Sequence, residues 1–298
     1  MSGARTSEGQ GLLLAFASAA AFGTNIVSAQ IAGAAGLGGP LLVFYRVLIM
    51  LVLVGAAALL ARASLSLLRG QRLPVLRFGI ATALVGTAYL SSVSFVPVSV
   101  AAVIFYTYPV LIVLLEPLLT RAPFRADRLV VAIVAFIGIA LVVGPDLHGL
   151  DPRGLALAGL ASLAAAAQFF AAASCASIAT MPKLFWSHVV ILPVTLLILA
   201  LTGGFLPPQA FLLAPIALAV TYGGYLVGFV LQILALARIA PGPAGLAYCA
   251  EPIIAVAIAA VVLGERLGSL QYAGGALVIA ALVTNVILEQ SRRRPVPA

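Results

Sequence analysis

Long apolar stretches alternate with short polar links along the whole chain. A helix needs about 20 mostly apolar residues to cross the roughly 30 Å hydrocarbon core of a bilayer. The pattern predicts ten such spans, at residues 11–33, 40–61, 75–95, 98–119, 128–145, 154–179, 183–202, 209–236, 241–263 and 268–289. Helices satisfy their own backbone hydrogen bonds inside lipid. We therefore predict an all-α integral membrane protein with ten transmembrane helices.

The composition supports a membrane protein and excludes several other classes. The 298 residues are 63% hydrophobic and only 8% charged, whereas a soluble domain carries about 25% charged residues. A water-soluble enzyme is therefore excluded. The net charge of +8 does not indicate nucleic-acid binding, because the charges lie in short clusters between apolar runs. The sequence shows no nucleotide-binding loop and no His/Cys metal cluster, so we expect neither a cofactor nor a metal.

The basic residues predict the orientation in the membrane. If the N-terminus is cytoplasmic, thirteen Lys and Arg residues fall inside, and only Arg153 and Arg266 fall outside. Cytoplasmic links carry an excess of Lys and Arg, so we predict a multi-pass protein of the cytoplasmic (inner) membrane with both termini inside. The basic tail, 291–298, is expected at the cytoplasmic lipid surface, and the link 146–153 is expected outside.

The two halves of the chain resemble each other at a shift of about 143 residues. Gly11 falls on Gly154, Asn25 on Gln168, Phe105 on Tyr248, and Pro109 on Pro252. We predict one five-helix repeat at 1–147 and a second at 148–290. Five is an odd number, so the second repeat is inverted in the membrane. Inverted repeats that meet around a central cavity are typical of alternating-access transporters. Chance similarity among Ala/Leu-rich helices is the alternative.

Several motifs carry a resemblance to a known family. They are the stretch from Pro97 to Pro109, its counterpart through Glu251-Pro252, and the segment Leu263-Gly264-Glu265-Arg266-Leu267 with Gln271 and Gly274-Gly275. The chain resembles the EamA-type exporters of the drug/metabolite transporter superfamily. The first half departs from the pattern, with Thr120-Arg121-Ala122 in place of Gly-Glu-Arg. The resemblance implies export of amino acids, other metabolites or drugs, and the aromatic amino acid exporters are the nearest likeness.

Polar and aromatic residues that share helix faces predict a substrate path. Polar groups are costly in lipid and call for an explanation. The candidates are Asn25, Tyr89, Phe105, Tyr108, Gln168, Tyr222, Tyr225, Gln232, Tyr248 and Glu251. Flat apolar rings combined with a few hydrogen-bonding groups suit a semi-polar, ring-bearing solute. Alternatively, the tyrosines pack helices together and the two amides Asn25 and Gln168 bond helix to helix.

A few residues have individual interpretations. Glu251 lies near the midplane, where it can bind a substrate ammonium, carry a proton or act as a structural acid. Arg46, about 9 Å into the second span at 1.5 Å per residue, can reach the outer interface or hold a carboxylate. Trp186 and His188 are possible additional contacts to the solute, with an interfacial role as the alternative. Pro109 and Pro252 are predicted to kink their helices and to serve as hinges.

Two further features concern helix packing. Gly224-Tyr225-Leu226-Val227-Gly228 fits the GxxxG pattern, which allows two helices to approach closely. Glu116, near the cytoplasmic end of the fourth span, is expected to reach the interface or to pair with Arg121.

The sequence thus predicts a secondary transporter that exports amino acids with large apolar or aromatic side chains, and related metabolites, by alternating access. Three alternatives stay open. The first is a broad exporter of amphipathic drugs, and the second is a channel. The third is an intramembrane enzyme, which would require Glu251 and His188 to meet. The expected partners are a small-molecule substrate and the lipid bilayer, and the pattern does not predict the oligomeric state.

Overall fold

The described chain is almost entirely helical. The structure is a computed structural model that describes residues 2–144, 150–264 and 266–291, and no strand occurs in these ranges. The helices are α1 (Ser2–Ala34), α2 (Gly39–Leu60), α3 (Arg69–Ser92), α4 (Val98–Phe105), α5 (Tyr108–Thr120), α6 (Ala126–Val143), α7 (Pro152–Ser174), α8 (Thr180–Leu201), α9 (Pro215–Leu236), α10 (Pro241–Ala247), α11 (Ala250–Val262) and α12 (Ser269–Ser291). The tail 292–298, the outer-link residue Asp146 and the motif residue Glu265 lie outside the described residues.

Ten membrane-length segments within the described residues confirm the predicted fold class. Each is long enough and apolar enough to cross a bilayer. Large apolar side chains such as Leu59, Ile216 and Val261 are about four-fifths exposed, at 81%, 79% and 84%. Exposed apolar surface on this scale is a lipid-facing surface, because a water-soluble protein rarely shows contiguous patches of this kind.

Four spans differ from their predicted shape or bounds. The fourth span consists of α4 and α5, and the ninth of α10 and α11, with a break inside each. The eighth begins at Pro215 rather than at 209, since a proline at the first helical position needs no N–H partner and a 3₁₀ turn over Pro208–Leu213 precedes it. The sixth ends at Ser174 rather than at 179, because the Cys175 carbonyl accepts from Ile178 N and closes a turn there.

The helices pack as two interleaved repeats. α1 packs along α9, and α3 packs along α7. The 143-residue shift places α1 on α7 and α3 on α9, so these two interfaces are equivalent. α2 packs on α8 and α6 on α12, and in each of these pairs a helix meets its own counterpart. The core therefore lies between the repeats rather than within either one.

The α6–α12 interface is a close backbone contact. A Cβ atom added at Gly138 would lie 2.7 Å from the Gly274 carbonyl oxygen, and one added at Gly274 would lie 2.5 Å from the Gly138 oxygen. Contacts this short leave no room for a side chain. The two glycines therefore set the separation of α6 and α12.

Candidate functional site

Two helix breaks lie inside the protein at equivalent places in the two repeats. α4 ends at Phe105 and α5 begins at Tyr108, while α10 ends at Ala247 and α11 begins at Ala250. Pro109 and Pro252 occupy the first turns of α5 and α11. A proline has no N–H to donate to the residue four positions earlier, so it is tolerated after a break and not within a continuous helix. Both prolines are buried, and their predicted hinge function stays a prediction.

Glu251 lies among four tyrosines, which we call the tyrosine cluster: Tyr89, Tyr106, Tyr108 and Tyr248. The carboxyl group of Glu251 lies close enough to all four phenol groups for electrostatic interaction, and among them Tyr106 is positioned to hydrogen-bond with it. The cluster draws on α3, on both helix breaks and on α11. It therefore joins residues of both repeats around one acid.

Close ring contacts fill the cluster. The ring of Phe105 lies 5.3 Å from Tyr89 and 5.2 Å from Tyr108, measured between centroids. Phe169 bridges the two breaks, at 5.6 Å from Tyr108 and 5.1 Å from Tyr248. Rings at these separations are in contact, so the centre of the protein is packed with side chains in this conformation.

A second group, the arginine cluster, consists of Arg46, His188 and Tyr225. The guanidinium carbon of Arg46 lies 4.5 Å from the centroid of the Tyr225 ring. His188 Nδ1 faces the Leu184 carbonyl oxygen at 2.8 Å, and its Nε2 faces the Tyr225 hydroxyl at 3.0 Å. A carbonyl can only accept, so Nδ1 carries the proton and Tyr225 donates to Nε2. These bonds hold the Tyr225 ring beneath Arg46.

Phe22 connects the two clusters. Its ring centroid lies 6.4 Å from that of Tyr225 and 6.3 Å from that of Tyr248. The aromatic row therefore runs without a gap from Tyr89 to His188. Glu251 and His188 belong to different clusters, so the geometry does not assemble the acid–base pair that an intramembrane enzyme would need.

The amides bond helix to helix. Asn25 donates to the Thr221 carbonyl oxygen of α9 at 2.5 Å, and Gln168 donates to Thr82 Oγ1 of α3 at 2.9 Å. These are equivalent interfaces in the two repeats, and both amide groups orient a helix next to the aromatic row. Gln232 is also buried, on α9.

Two candidates lie at the edges of the row. Trp186 is 40% exposed and donates to the Leu65 carbonyl oxygen in the link after α2, which places it away from both clusters. Tyr222 lies one turn before Tyr225 on α9 and has a buried hydroxyl without a hydrogen-bond partner.

The sequence pattern did not predict that Tyr106 belongs to the tyrosine cluster. With a continuous fourth helix, Phe105 and Tyr108 share the inner face and Tyr106 points elsewhere. The break between α4 and α5 turns Tyr106 inward, to 6% exposure. The run of aromatic residues just before Pro109 was the available signal.

An ion-paired network joins the repeats at the end expected to be cytoplasmic. Arg128 of α6 bonds Glu116 of α5 at 3.0 Å and Glu289 of α12 at 2.8 Å. Glu116 also accepts from the Gly242 backbone N–H at 3.1 Å. The partner of Glu116 is thus Arg128 and not Arg121, because Arg121 ends α5 in a left-handed conformation and Arg128 points back from the next helix.

The opposite end carries an exposed ion pair. Arg153 donates to Asp151 from its backbone N–H at 2.8 Å and from its side chain at 2.7 Å. The side-chain hydrogen bond is the main cause that lowers the pKa of Asp151, and the backbone bond adds to it. Asp151 caps the first turn of α7, while the guanidinium of Arg153 also lies over the Phe95 ring.

The part of the chain that the structure describes contains ten membrane-length helices in two equivalent sets, and polar and aromatic side chains line the seam between the sets. This arrangement defines a polytopic membrane transporter fold. Residues 9–144 and 152–287 each match the EamA-like transporter family, and the chain belongs to this family. The two matched segments are offset by 143 residues, from 9 to 152 and from 144 to 287. This is the offset that the sequence repeat predicted.

A solved structure, described only as the crystal structure of a protein, shares this fold. It is similar over 93% of this chain and 98% of its own, with a TM-score of 0.77 and 20% sequence identity. No curated protein matches the chain. Family membership indicates a membrane transporter of small solutes.

Proposed function

We propose that the protein exports amino acids, with a preference for large apolar or aromatic side chains, from the cytoplasm by alternating access. The observation that carries this proposal is Glu251 within the tyrosine cluster. A carboxylate can bind the ammonium group of an amino acid, and the faces of tyrosine rings also attract a cation. The same rings offer stacking to an aromatic side chain. One place thus suits both ends of such a solute.

The tight packing of the centre supports alternating access. Since the rings of the tyrosine cluster touch, a solute can bind there only after the repeats separate. The two helix breaks, just before Pro109 and Pro252, are suitable hinges for such a movement. Transporters built from inverted repeats move largely as rigid bodies around a fixed site. The network of Glu116, Arg128 and Glu289 would then close the cytoplasmic side in this conformation.

The substrate test uses the purified protein in liposomes with phenylalanine, threonine and a lipophilic cation. We expect phenylalanine to move fastest, threonine more slowly and the cation not at all. Glu251→Gln should reduce amino acid transport, because the neutral amide attracts an ammonium group less. Glu289→Gln is not a suitable control, since Glu289 pairs with Arg128. Tyr272→Phe is a suitable control that should leave transport unchanged, because Tyr272 is 65% exposed.

The alternatives give different results in the same assay. Transport of the lipophilic cation alone would contradict amino acid export and support a broad exporter of amphipathic drugs. Spin labels at the outer and inner ends of the fourth and ninth spans test the mechanism. Alternating access predicts that the two separations change in opposite senses when substrate is added. If substrate leaves the spin-label separation unchanged at both the outer and the inner ends, the result would support a channel.

A further inference from the structure

Few polar side-chain atoms in the described chain are buried without a hydrogen-bond partner. They are Arg46 Nε, Tyr222 Oη, and both amide atoms of Asn285. Arg46 and Tyr222 lie on α2 and α9, which pack against each other. Both can donate a hydrogen bond, and burying a donor without an acceptor is unfavourable, because the donor loses its bond to water. Two unpaired donors on helices that pack together are suited to share one acceptor.

The two residues have equivalent positions along their helices. Arg46 and Tyr222 each come seven residues after the start of their helix, α2 at Gly39 and α9 at Pro215. As the second and eighth spans, these helices cross the membrane in the same direction. At 1.5 Å per residue, both residues lie about 10 Å from the same end of the protein. With a cytoplasmic N-terminus, this is the outer end.

No described acid neutralises Arg46. Asp127, Asp151, Glu116 and Glu289 have arginine partners elsewhere, Glu251 belongs to the tyrosine cluster, and Glu8 lies near the start of α1. Arg46 lies over the ring of Tyr225, whose hydroxyl bonds to His188. The ring contact offers an attractive π face but accepts no strong hydrogen bond. A guanidinium at this depth therefore retains its capacity for an anion.

We propose that Arg46 and Tyr222 form a carboxylate-binding subsite that holds the carboxylate of the exported solute on the outer side of the tyrosine cluster. The planar fork of an arginine matches a carboxylate with two parallel hydrogen bonds, and the Tyr222 hydroxyl can supply a third. Tyr225, held by His188, fixes the guanidinium from behind. This inference rests on the proposed function, because it assigns the second charge of an amino acid whose ammonium group binds Glu251.

The two subsites act one after the other. Arg46 and Glu251 are separated by the rings of Tyr225, Phe22 and Tyr248, which touch in sequence. The ammonium and carboxylate groups of an α-amino acid are attached to one carbon, so both cannot reach these subsites at once in this conformation. Arg46, nearer the outer end, takes the carboxylate as the solute leaves the tyrosine cluster.

The test separates the two charges of the solute. Binding to the purified protein in detergent is measured for phenylacetate, which lacks the amine, and for 2-phenylethylamine, which lacks the carboxylate. We expect phenylacetate to bind the unmodified protein, and Arg46→Gln to weaken it about tenfold or more, as the loss of charge-assisted hydrogen bonds implies. Tyr222→Phe should weaken it by a smaller factor. Neither substitution should alter the binding of 2-phenylethylamine.

Matched controls are available at the surface. Arg153→Gln removes an exposed arginine at the outer end, and Tyr272→Phe removes an exposed phenol. Both should leave both probes unaffected. If Arg46→Gln does not fold, the binding of phenylacetate to Tyr222→Phe and Arg46→Lys tests the subsite instead. Lysine keeps the positive charge but lacks the planar fork of arginine, so the Arg46→Lys protein should bind phenylacetate with intermediate affinity.

The outcomes distinguish the subsite from the proposed function. Phenylacetate that fails to bind, or that binds the Arg46 and Tyr222 variants as well as the unmodified protein, overturns the subsite, whatever the liposome assay shows. Arg46-dependent binding of phenylacetate without any transport of phenylalanine would support the carboxylate subsite and reject amino acid export. Equal weakening of both probes by Arg46→Gln would assign Arg46 to helix packing instead.

Discussion

The Tyr248 hydroxyl donates to Ser18 Oγ at 2.5 Å, and Ser18 in turn donates to the Gly228 carbonyl oxygen at 2.6 Å. This chain of bonds ties the break in the ninth span to α1 and to α9 at once. Ser18 and Tyr248 are almost fully buried, so water cannot replace a lost partner.

The bond should appear as coupling between the two residues. Ser18→Ala leaves the Tyr248 hydroxyl without a partner and removes the side-chain bond to the Gly228 carbonyl, and we expect it to lower the free energy of unfolding by about 1–3 kcal/mol. Tyr248→Phe keeps the bond from Ser18 to Gly228 and should cost less. The double variant should be less destabilised than the sum of the two single variants. Denaturant unfolding in detergent measures this, and strictly additive costs would contradict the bond.

The ion pairs formed by Arg128 and Arg125 should differ strongly in their contribution to stability. Arg128 is 12% exposed and lies between two acids, whereas Arg125 pairs with Asp127 at side-chain exposures of 25% and 36%. Arg128→Gln leaves buried carboxylates unpaired and should cost about 3–5 kcal/mol. Arg125→Gln is the matched control and should cost at most about 1 kcal/mol. Similar shifts of the unfolding midpoint for both variants would count against a closed network at this end.

Adjacent glycines on α9 provide a sharp test of helix packing. A Cβ atom at Gly224 would lie 2.8 Å from the Ala21 carbonyl oxygen of α1, while one at Gly223 meets nothing within 4 Å. Gly224→Ala must push two backbones apart, and we expect it to destabilise the fold by about 1–3 kcal/mol. Gly223→Ala should be neutral or stabilise by up to about 1 kcal/mol, because alanine favours the helix. In detergent, Gly224→Ala should therefore lower the midpoint of thermal unfolding, whereas Gly223→Ala should leave the midpoint unchanged or raise it.

The orientation can be tested without removing the native cysteines. Cys175 and Cys249 are 0% and 1% exposed, so an impermeant thiol reagent should not reach them. Leu150→Cys lies in the link expected outside and should be labelled in intact cells. Phe124→Cys, at a position 55% exposed in the link between α5 and α6, should be labelled only after permeabilisation. The reverse pattern would show that the N-terminus faces outward.

The fold could be predicted from the sequence because a bilayer imposes simple conditions on it. A spanning helix must be apolar over a fixed length, so the ten segments are visible in the hydropathy alone. The glycines at 224 and 228 also predicted a close contact: they face Ala21 and Phe22 of α1. These features depend only on the length and composition of a single helix and on the spacing of residues along it, so the sequence of that helix is enough to predict them.

The candidate site was only partly predictable, because it depends on neighbours that are distant in the sequence. Helical spacing placed Tyr225 and Glu251 on inward faces but assigned no partner to either. Tyr106 was missed because its direction depends on the break between α4 and α5. The contact of Arg46 with Tyr225 joins residues about 180 positions apart, and no local pattern specifies such a pair.

The pairing of α1 with α9 bears on how the chain is made. The bonds from Asn25 to Thr221 and from Ser18 to Gly228 span 196 and 210 residues. At a synthesis rate of about 5–20 residues per second, α1 waits roughly 10–40 s in the membrane before α9 emerges. Throughout this interval Ser18 and Asn25 lack their final partners. Gln168 does not wait in this way, because its partner helix α3 is already in the membrane when α7 emerges. The earliest helix thus waits the longest for its main partner, and throughout that wait quality-control proteases that survey nascent membrane proteins can recognise its unpaired polar side chains.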